Sequence, residues 1–525
     1  MSSNSSNQAL APNIAGNAGF AMFAKTFYLL SRLCLPPMVL SHISLADYGL
    51  WSASFILIMY IGLTDVGFSS VYVRYSARYH AQGDTNSINR LLSTGVITLS
   101  VLSVLVLGGL WLVLPHVLDF LKIAAAQRTI AKTLVMGTST MFMLDLSFGA
   151  YCYLLHGLQR IREEQKVAVI GYVLELVLIF AFLQMGMGVY ALLAAFVLRY
   201  LWSLTSFVRL AHRYLPGLHI GFKHYDREKL RLFLGFGAAV QVSALVGTAL
   251  FSIDRVLAGF MLGPKGIALF ELGSKLPIAA ISVPSAISNV TMPAASRHST
   301  HGNNDAIQKL YISASRAISM ISAFPLAFMA VFSATIIHVW LGARGELQML
   351  PVIMALTAMW SHLHIMTGPG SAVFRAMGQV GNEFVYHLSR VVFLTLGIGT
   401  AILIYGYTAN AIIVGLAAGS TLAALAYMLF NHKQLGLPPL SIFPQLLLPA
   451  MPAYPLAYGL LLLWQYMVPV ATGRWEAMAL LCMFGLSYCI VLAILMWRWM
   501  LTEPERDHVA RLVQPMFNRF SGRSA

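Results

Sequence analysis

Residues 45–94 read LADYGLWSASFILIMYIGLTDVGFSSVYVRYSARYHAQGDTNSINRLLST. The run over 48–72 is apolar enough and long enough to cross a hydrocarbon core about 30 Å thick as a helix. Arg74 and Arg78 follow, four residues apart and so on one helical face. A polar segment, ARYHAQGDTNSINRLL (77–92), then lines up with SRHSTHGNNDAIQKLY (296–311) at a constant offset of 219. Arg78 falls on Arg297, Gly83 on Gly302, Ile88 on Ile307, Arg90 on Lys309 and Leu91 on Leu310. At the same offset GLW (49–51) falls on ALF (268–270). Two features sharing one offset point to an internal duplication. With six helices between the copies, an even number, the halves are expected to be parallel repeats about an axis along the membrane normal, an arrangement in which transporters commonly bind substrate between the halves.

Working outward, apolar runs recur along all 525 residues; 58% of the chain is hydrophobic and 10% charged. A soluble protein carries about a quarter charged residues, so this chain reads as all-α and polytopic. Fourteen helices are expected, near 18–40, 48–72, 91–114, 133–156, 167–184, 189–208, 232–262, 266–293, 310–340, 349–374, 385–405, 409–430, 442–468 and 476–498. With the N-terminus inside, about twenty Lys and Arg fall in inner loops and tail against about six outside, which predicts both termini cytoplasmic. The layout is a disordered tail (1–17), an N-lobe of helices 1–6 (18–208), a basic cytoplasmic linker (209–231), a C-lobe of helices 7–12 (232–430), helices 13 and 14 (442–498) and a cytoplasmic tail (499–525). The first 17 residues carry no Lys or Arg, unlike a cleaved signal peptide.

Several function classes drop out. No soluble stretch exceeds about 25 residues, and neither G-x-x-x-x-G-K-[ST] nor H-E-x-x-H occurs. ATP hydrolysis by this chain and zinc proteolysis are excluded, and no catalytic constellation, cofactor or metal is called for. Cys34, Cys152, Cys482 and Cys489 sit in apolar segments and read as small buried hydrophobes. The formal charge of +15 is mostly topological and gives no reason to invoke nucleic acid.

The stretch 45–94 resembles the second helix and following cytoplasmic loop of the polysaccharide flippases of the MOP exporter superfamily. The second half is similar too, through SIDRVLAGFMLGPKGIALFELGSKL (252–276), MPAASRHSTHGNN (292–304), VWLG (339–342) and TGPGSAVFRAMGQ (367–379). The resemblance implies two six-helix bundles forming a V around a central cavity, plus two further helices. It implies movement of undecaprenyl-pyrophosphate-linked oligosaccharide from the cytoplasmic to the periplasmic leaflet of a bacterial inner membrane, for O-antigen or exopolysaccharide. The implied partners are that lipid-linked saccharide, membrane lipid, and a polysaccharide polymerase with its export machinery.

A charge at the bilayer centre costs about 2.5–3.5 kcal/mol on insertion scales, so each one inside a span is a candidate. Lys25 and Arg32 share a face of the first helix and are expected to point into the cavity, with Lys25 equally readable as an anchor at the membrane edge. Asp254, Arg255, Glu271 and Lys275 on helices 7 and 8 form either a substrate-facing network or a self-satisfied one; Arg255 and Lys275 would offer positive charge while Asp254 and Glu271 hold them or carry a coupling proton. Asp65 pairs with a cation or a helix end. Arg74, Arg78, Arg316, Arg375 and Arg390 line the cytoplasmic mouth or anchor it, and Arg199 also lies within or at the rim of a span. His362 and His364 diverge by about 200° on a helix and make a poor metal pair. TGPG (367–370) is expected to break helix 10, and Pro277 and Pro284 to kink or hinge helix 8. Two alternatives stand beside the flippase: a drug or cation antiporter of the same superfamily, and a membrane-embedded glycosyltransferase, polymerase or ligase acting on lipid-linked sugars.

Overall fold

A computed structural model describes residues 5–62, 68–234, 238–300, 302–342, 344–379, 381–468, 473–507 and 510–511. Every regular element among the described residues is helical, because in hydrocarbon a helix satisfies its own amides and carbonyls. Ten of these helices are long and apolar enough to cross a membrane, and Leu45–Ile61 is a shorter apolar one. Large apolar side chains face outward, Val104 at 71% exposure and Leu403 at 86%. That inverts a water-facing surface, and the chain is a multi-pass membrane protein. The cysteines follow the same inversion: Cys34, Cys482 and Cys489 are exposed rather than buried, and Cys152 is half-buried.

The chain divides into two compact units, Met1–Glu271 and Leu272–Ala525. The first holds α1 (Ser5–Leu40), α2 (Leu45–Ile61), α3 (Phe68–Ala81), α4 (Thr85–Phe120), α5 (Arg128–Phe148), α6 (Ala150–Gly157), α7 (Ile161–Gln184), α8 (Tyr190–Tyr214), α9 (Arg227–Leu234) and most of α10 (Ala238–Ala280). Hydropathy alone misplaces several ends. α1 starts at Ser5, ahead of the apolar run, and the run 133–156 breaks at Gly149 into α5 and α6. The expected helices 7 and 8 meet in α10 across a sharp bend at Gly263, whose φ of 69° is open chiefly to glycine.

The second unit holds α11 (Ser285–Thr300), α12 (Asn304–Val331), α13 (Ser333–Leu341), α14 (Leu350–Ile365), α15 (Gly368–Ala376), α16 (Gly381–Tyr405), α17 (Ala409–Gln434), α18 (Ala453–Met467) and α19 (Arg474–Leu495). TGPG does break its helix: α14 ends at Ile365 and α15 begins at Gly368, with Pro369 in the first turn where no amide donor is needed. Pro277 stays inside α10, while Pro284 closes the turn ahead of α11. α16 and α17 pack backbone to backbone through Gly397, Gly415 and Gly419; a Cβ on Gly415 would lie 2.6 Å from the Ile398 Cα.

The offset of 219 holds at the level of hydrogen bonds. Gly83 and Gly302 both take positive φ, 70° and 62°. Asp84 and Asn303, one residue on, cap α4 and α12 by accepting from the amides of Ser87 and Ala306 at 2.9 and 3.0 Å. The Ser87 hydroxyl and amide hold the Asp84 carboxyl below its ordinary range. Ile88 and Ile307 are both buried. Asn89 then donates to the Gly217 carbonyl at 2.9 Å, just beyond α8, and Gln308 donates to the Leu435 carbonyl at 2.6 Å, just beyond α17. In the first unit Ser93 and Thr94 accept from the amides of Gly221 and Asp226 at 3.1 and 2.9 Å, so the basic segment after α8 is stitched along α4.

Asn89 also accepts from the His219 amide at 3.0 Å and is buried. Asn89→Ala is therefore expected to leave the His219 amide unsatisfied and the Gly217 carbonyl with only its 3.0 Å bond from His219 Nδ1, and to cost about 1–3 kcal/mol, read from thermal unfolding in detergent. Gln308→Ala, which releases one carbonyl, is expected to cost less. Equal stability of Asn89→Ala and wild type would contradict the stitching role.

Candidate functional site

A buried charge arrangement lies within the first unit, where α7 packs against both α1 and α8. Glu175 on α7 is 3% exposed, and its Oε2 meets Arg32 Nη2 of α1 at 2.7 Å and Arg199 Nε of α8 at 3.2 Å. A second Arg32 bond reaches Oε1 at 3.3 Å, so the Arg32 fork grips both carboxylate oxygens. Aromatic faces complete the setting: Arg32 lies 5.1 Å from the Tyr28 ring centre, and Arg199 lies 4.2 Å from that of Tyr200. Asp145 lies on α5, which also packs against α8.

Arg32, expected to point into the cavity, is an ion-pair partner of Glu175, and Lys25 stands exposed two turns earlier on α1. Glu175 and Asp145 were not singled out from the sequence. The signal was present, a lone acid inside VLELVL (173–178) and another inside MLDLSF (143–148), each as costly in hydrocarbon as the arginines.

The second arrangement depends on the Gly263 bend. Sixteen residues of straight helix would separate Arg255 from Glu271 by about 24 Å. The bend folds α10 back so that Arg255 Nη1 meets Glu271 Oε2 at 2.8 Å, while its Nε lies 3.4 Å from Asp254 Oδ1. Asp254, Arg255 and Glu271, expected as part of one network, are therefore joined within the first unit, with both acids converging on Arg255. Lys275, half-buried one turn beyond Glu271 on α10, falls in the second unit.

The other candidates are dispersed. Arg74 and Arg78 are exposed near the end of α3. Arg316 on α12 is occupied structurally, by Glu505 at 3.0 Å and by the Gln445 and Met500 carbonyls. Arg375 pairs with Glu383 at 3.0 Å, and Arg390 is buried 5.9 Å from the Tyr386 ring centre. Asp65 lies outside the described residues. His362 and His364 turn to different partners. His362 Nε2 lies 2.9 Å from the Ser319 carbonyl, which only accepts, so Nε2 carries the proton and Nδ1 accepts from Tyr454 at 2.8 Å. His364 Nδ1 bonds the Tyr386 hydroxyl.

Solved structures share this fold. "Inward-facing conformation of a multidrug resistance MATE family transporter of the MOP superfamily" superposes with a TM-score of 0.64 at 16% identity, over 79% of this chain and 94% of that one. "Lipid II flippase MurJ, inward closed conformation" gives 0.66 at 12% identity, over 92% of this chain and 98% of that one. A MOP superfamily transporter from Pyrococcus furiosus, whose title notes a reverse polarity of the binding pocket, gives 0.54 at 17% identity, over 81% and 95%. The fold is accordingly that of the MOP superfamily, as the sequence resemblance implied. Comparison with curated protein sequences finds no match. Residues 42–345, more than half of the chain, match the model of the polysaccharide biosynthesis protein family. The chain belongs to that family.

Removing one partner of a buried ion pair typically costs about 3–5 kcal/mol, because the other charge is left uncompensated. Glu175→Ala is expected to lie in that range by thermal unfolding, and Glu175→Ala with Arg199→Ala to be less destabilised than the sum of the two single changes. Strict additivity would show that the two residues do not interact.

Proposed function

We propose that this protein flips a lipid-linked oligosaccharide, carried on undecaprenyl pyrophosphate, from the cytoplasmic to the periplasmic leaflet of a bacterial inner membrane by alternating access. The observation that carries the reading is the family match over residues 42–345 on a MOP-superfamily fold. In this reading both termini are cytoplasmic, the product feeds an O-antigen or exopolysaccharide polymerase, and no catalytic residue is required.

The buried arginines supply a physical means of headgroup recognition. A pyrophosphate carries two or more negative charges and loses its hydration on entering a low-dielectric site. Guanidinium groups replace that hydration with paired, charge-assisted bonds. Arg32 and Arg255 already hold carboxylates, Glu175 and Glu271, at 2.7 and 2.8 Å. Substrate phosphate therefore competes with those carboxylates for the same donors. Lys25 and Lys275 add charge with less geometric demand, and Arg74, Arg78, Arg375 and Arg390 gather the headgroup at the cytoplasmic side, with Asp65, Asp254 and Glu271 available to couple the cycle. Arg316, already held by Glu505 and two carbonyls, serves as an anchor.

A second reading is favoured by one observation: Asp254 and Glu271 both converge on Arg255. Two carboxylates on one arginine suit a cationic substrate better than an anionic one, as in a drug or cation antiporter. Export of polysaccharide in a strain lacking the native gene separates the two. Arg32→Ala, Arg255→Ala and Lys275→Ala are each expected to lower export at least tenfold at normal protein levels in the membrane, with Arg255→Lys intermediate because it keeps the charge and loses the fork. Unchanged export in all three alanine variants would sink the headgroup assignment, and efflux of a lipophilic cation from vesicles would establish the antiporter instead.

A further inference from the structure

We propose that Cys152, His156 and Glu164 form a binding site for one borderline-soft divalent cation of the zinc type. Cys152 and His156 stand four residues apart on α6, so their side chains share a face one turn apart. Glu164 comes from the first turn of α7, and the three ligand atoms all lie within 4.8 Å of one another. Tetrahedral zinc, with bonds of 2.0–2.3 Å, holds its donor atoms about 3.3–3.7 Å apart. The His156 Nε2 to Glu164 Oε2 distance is already 3.4 Å, and small side-chain rotations bring the sulfur in.

The backbone sets this convergence. Between α6 and α7 the chain reverses in three residues, closed by bonds from the Leu158, Gln159 and Arg160 amides to the Leu154, His156 and Leu155 carbonyls at 2.9, 2.9 and 2.8 Å. Gln159 takes a left-handed φ of 59° to complete the turn, a conformation rare for residues other than glycine. Glu164 is thereby delivered onto the His156 face by a fixed reversal rather than a loose loop.

The side-chain environment also points to a ligand. His156 Nε2 is shielded from solvent and makes no hydrogen bond, although its contact with Glu164 is close. Nearby cations are committed elsewhere: Lys166 to Glu163 at 2.9 Å, Arg160 over the Tyr214 ring at 4.5 Å and Arg162 over the Phe20 ring at 6.0 Å. Glu164 is left facing the imidazole, oriented by a 2.6 Å bond from Gln165 Nε2, the kind of outer contact that fixes a metal-binding carboxylate. The donor set of one thiolate, one imidazole and one carboxylate selects zinc over magnesium or calcium, and three protein ligands leave a fourth position open. An occupied site would clamp α6 to α7. The cysteines, read from sequence as inert, are thus divided, with Cys152 alone in a ligand set.

Cobalt(II) is the probe, because its thiolate charge-transfer band and intense tetrahedral d–d bands report the coordination directly. Untagged, reduced protein in detergent is titrated with cobalt and then with zinc in competition. The expected result is one equivalent per chain, a charge-transfer band that zinc abolishes, and the same band in a Cys34→Ser, Cys482→Ser, Cys489→Ser variant. Cys152→Ser is expected to lose the band, and His156→Ala and Glu164→Gln to weaken zinc at least tenfold, with the metal-free thermal midpoint of Glu164→Gln unchanged. A wild-type protein with no saturable cobalt spectrum, or a band that survives Cys152→Ser, would overturn the proposal.

Discussion

Hydrocarbon offers no water to share, and that single constraint governs both the backbone and the charges of this chain. The backbone answers it by remaining helical wherever it is regular among the described residues. The charges answer it by meeting inside the protein: Glu175 with Arg32 and Arg199, and Arg255 with Asp254 and Glu271. Taking an ion out of water costs several kcal/mol even after relaxation, and only good geometry repays it. The aromatic rings of Tyr28 and Tyr200 beside the two arginines serve the same end, since a ring face attracts a guanidinium through its quadrupole.

The class of fold was legible because apolar length is a property of the sequence alone, and the particular fold was legible from the order of several weak motifs. Helix ends were not, for reasons that differ case by case. Asp84 caps α4 seven residues before the expected start, because a polar turn such as NSINR is helical once its first amides are satisfied outside the apolar run. The bend at Gly263 is invisible to hydropathy, which is averaged over windows longer than one glycine. Its consequence, the meeting of Arg255 with Glu271, was expected as a network without the geometry that makes it. Glu175 was missed for another reason: its partner Arg32 is 143 residues away, and nothing local in VLELVL says which helices pack around it.

The two segments related by the offset of 219 agree more closely in geometry than in chemistry. Asp84 and Asn303 differ in charge, and Asn89 and Gln308 differ in length, yet each pair makes the corresponding bond. What is retained is a backbone requirement: a left-handed glycine, a side-chain oxygen to cap the next helix, and an amide to hold the carbonyl that follows a later helix of the same unit. Asn303 serves without titrating, while the lowered carboxyl of Asp84 keeps its cap ionised at neutral pH. Its stabilisation is complete above the ordinary carboxylate range and fades as pH falls through the depressed value. The two caps therefore diverge only in acid.

Pairing also bears on how the proposed transport of an anionic headgroup through Arg32 would work. A buried arginine with no partner would pay its full desolvation cost in the empty protein and then bind phosphate too tightly to release it. An arginine already held by a carboxylate sets a lower ceiling, since the substrate gains only the difference between phosphate and carboxylate as partners. Transport requires binding favourable enough to enter and weak enough to leave, and exchange between two anions of similar geometry meets both conditions. Arg32 is suited to such exchange because it is a quarter exposed while Glu175 is almost wholly buried. The displaced carboxylate keeps Arg199 at 3.2 Å as its remaining partner, so it need not be left as an uncompensated charge. A second arginine on the same carboxylate is then what makes release of the first affordable.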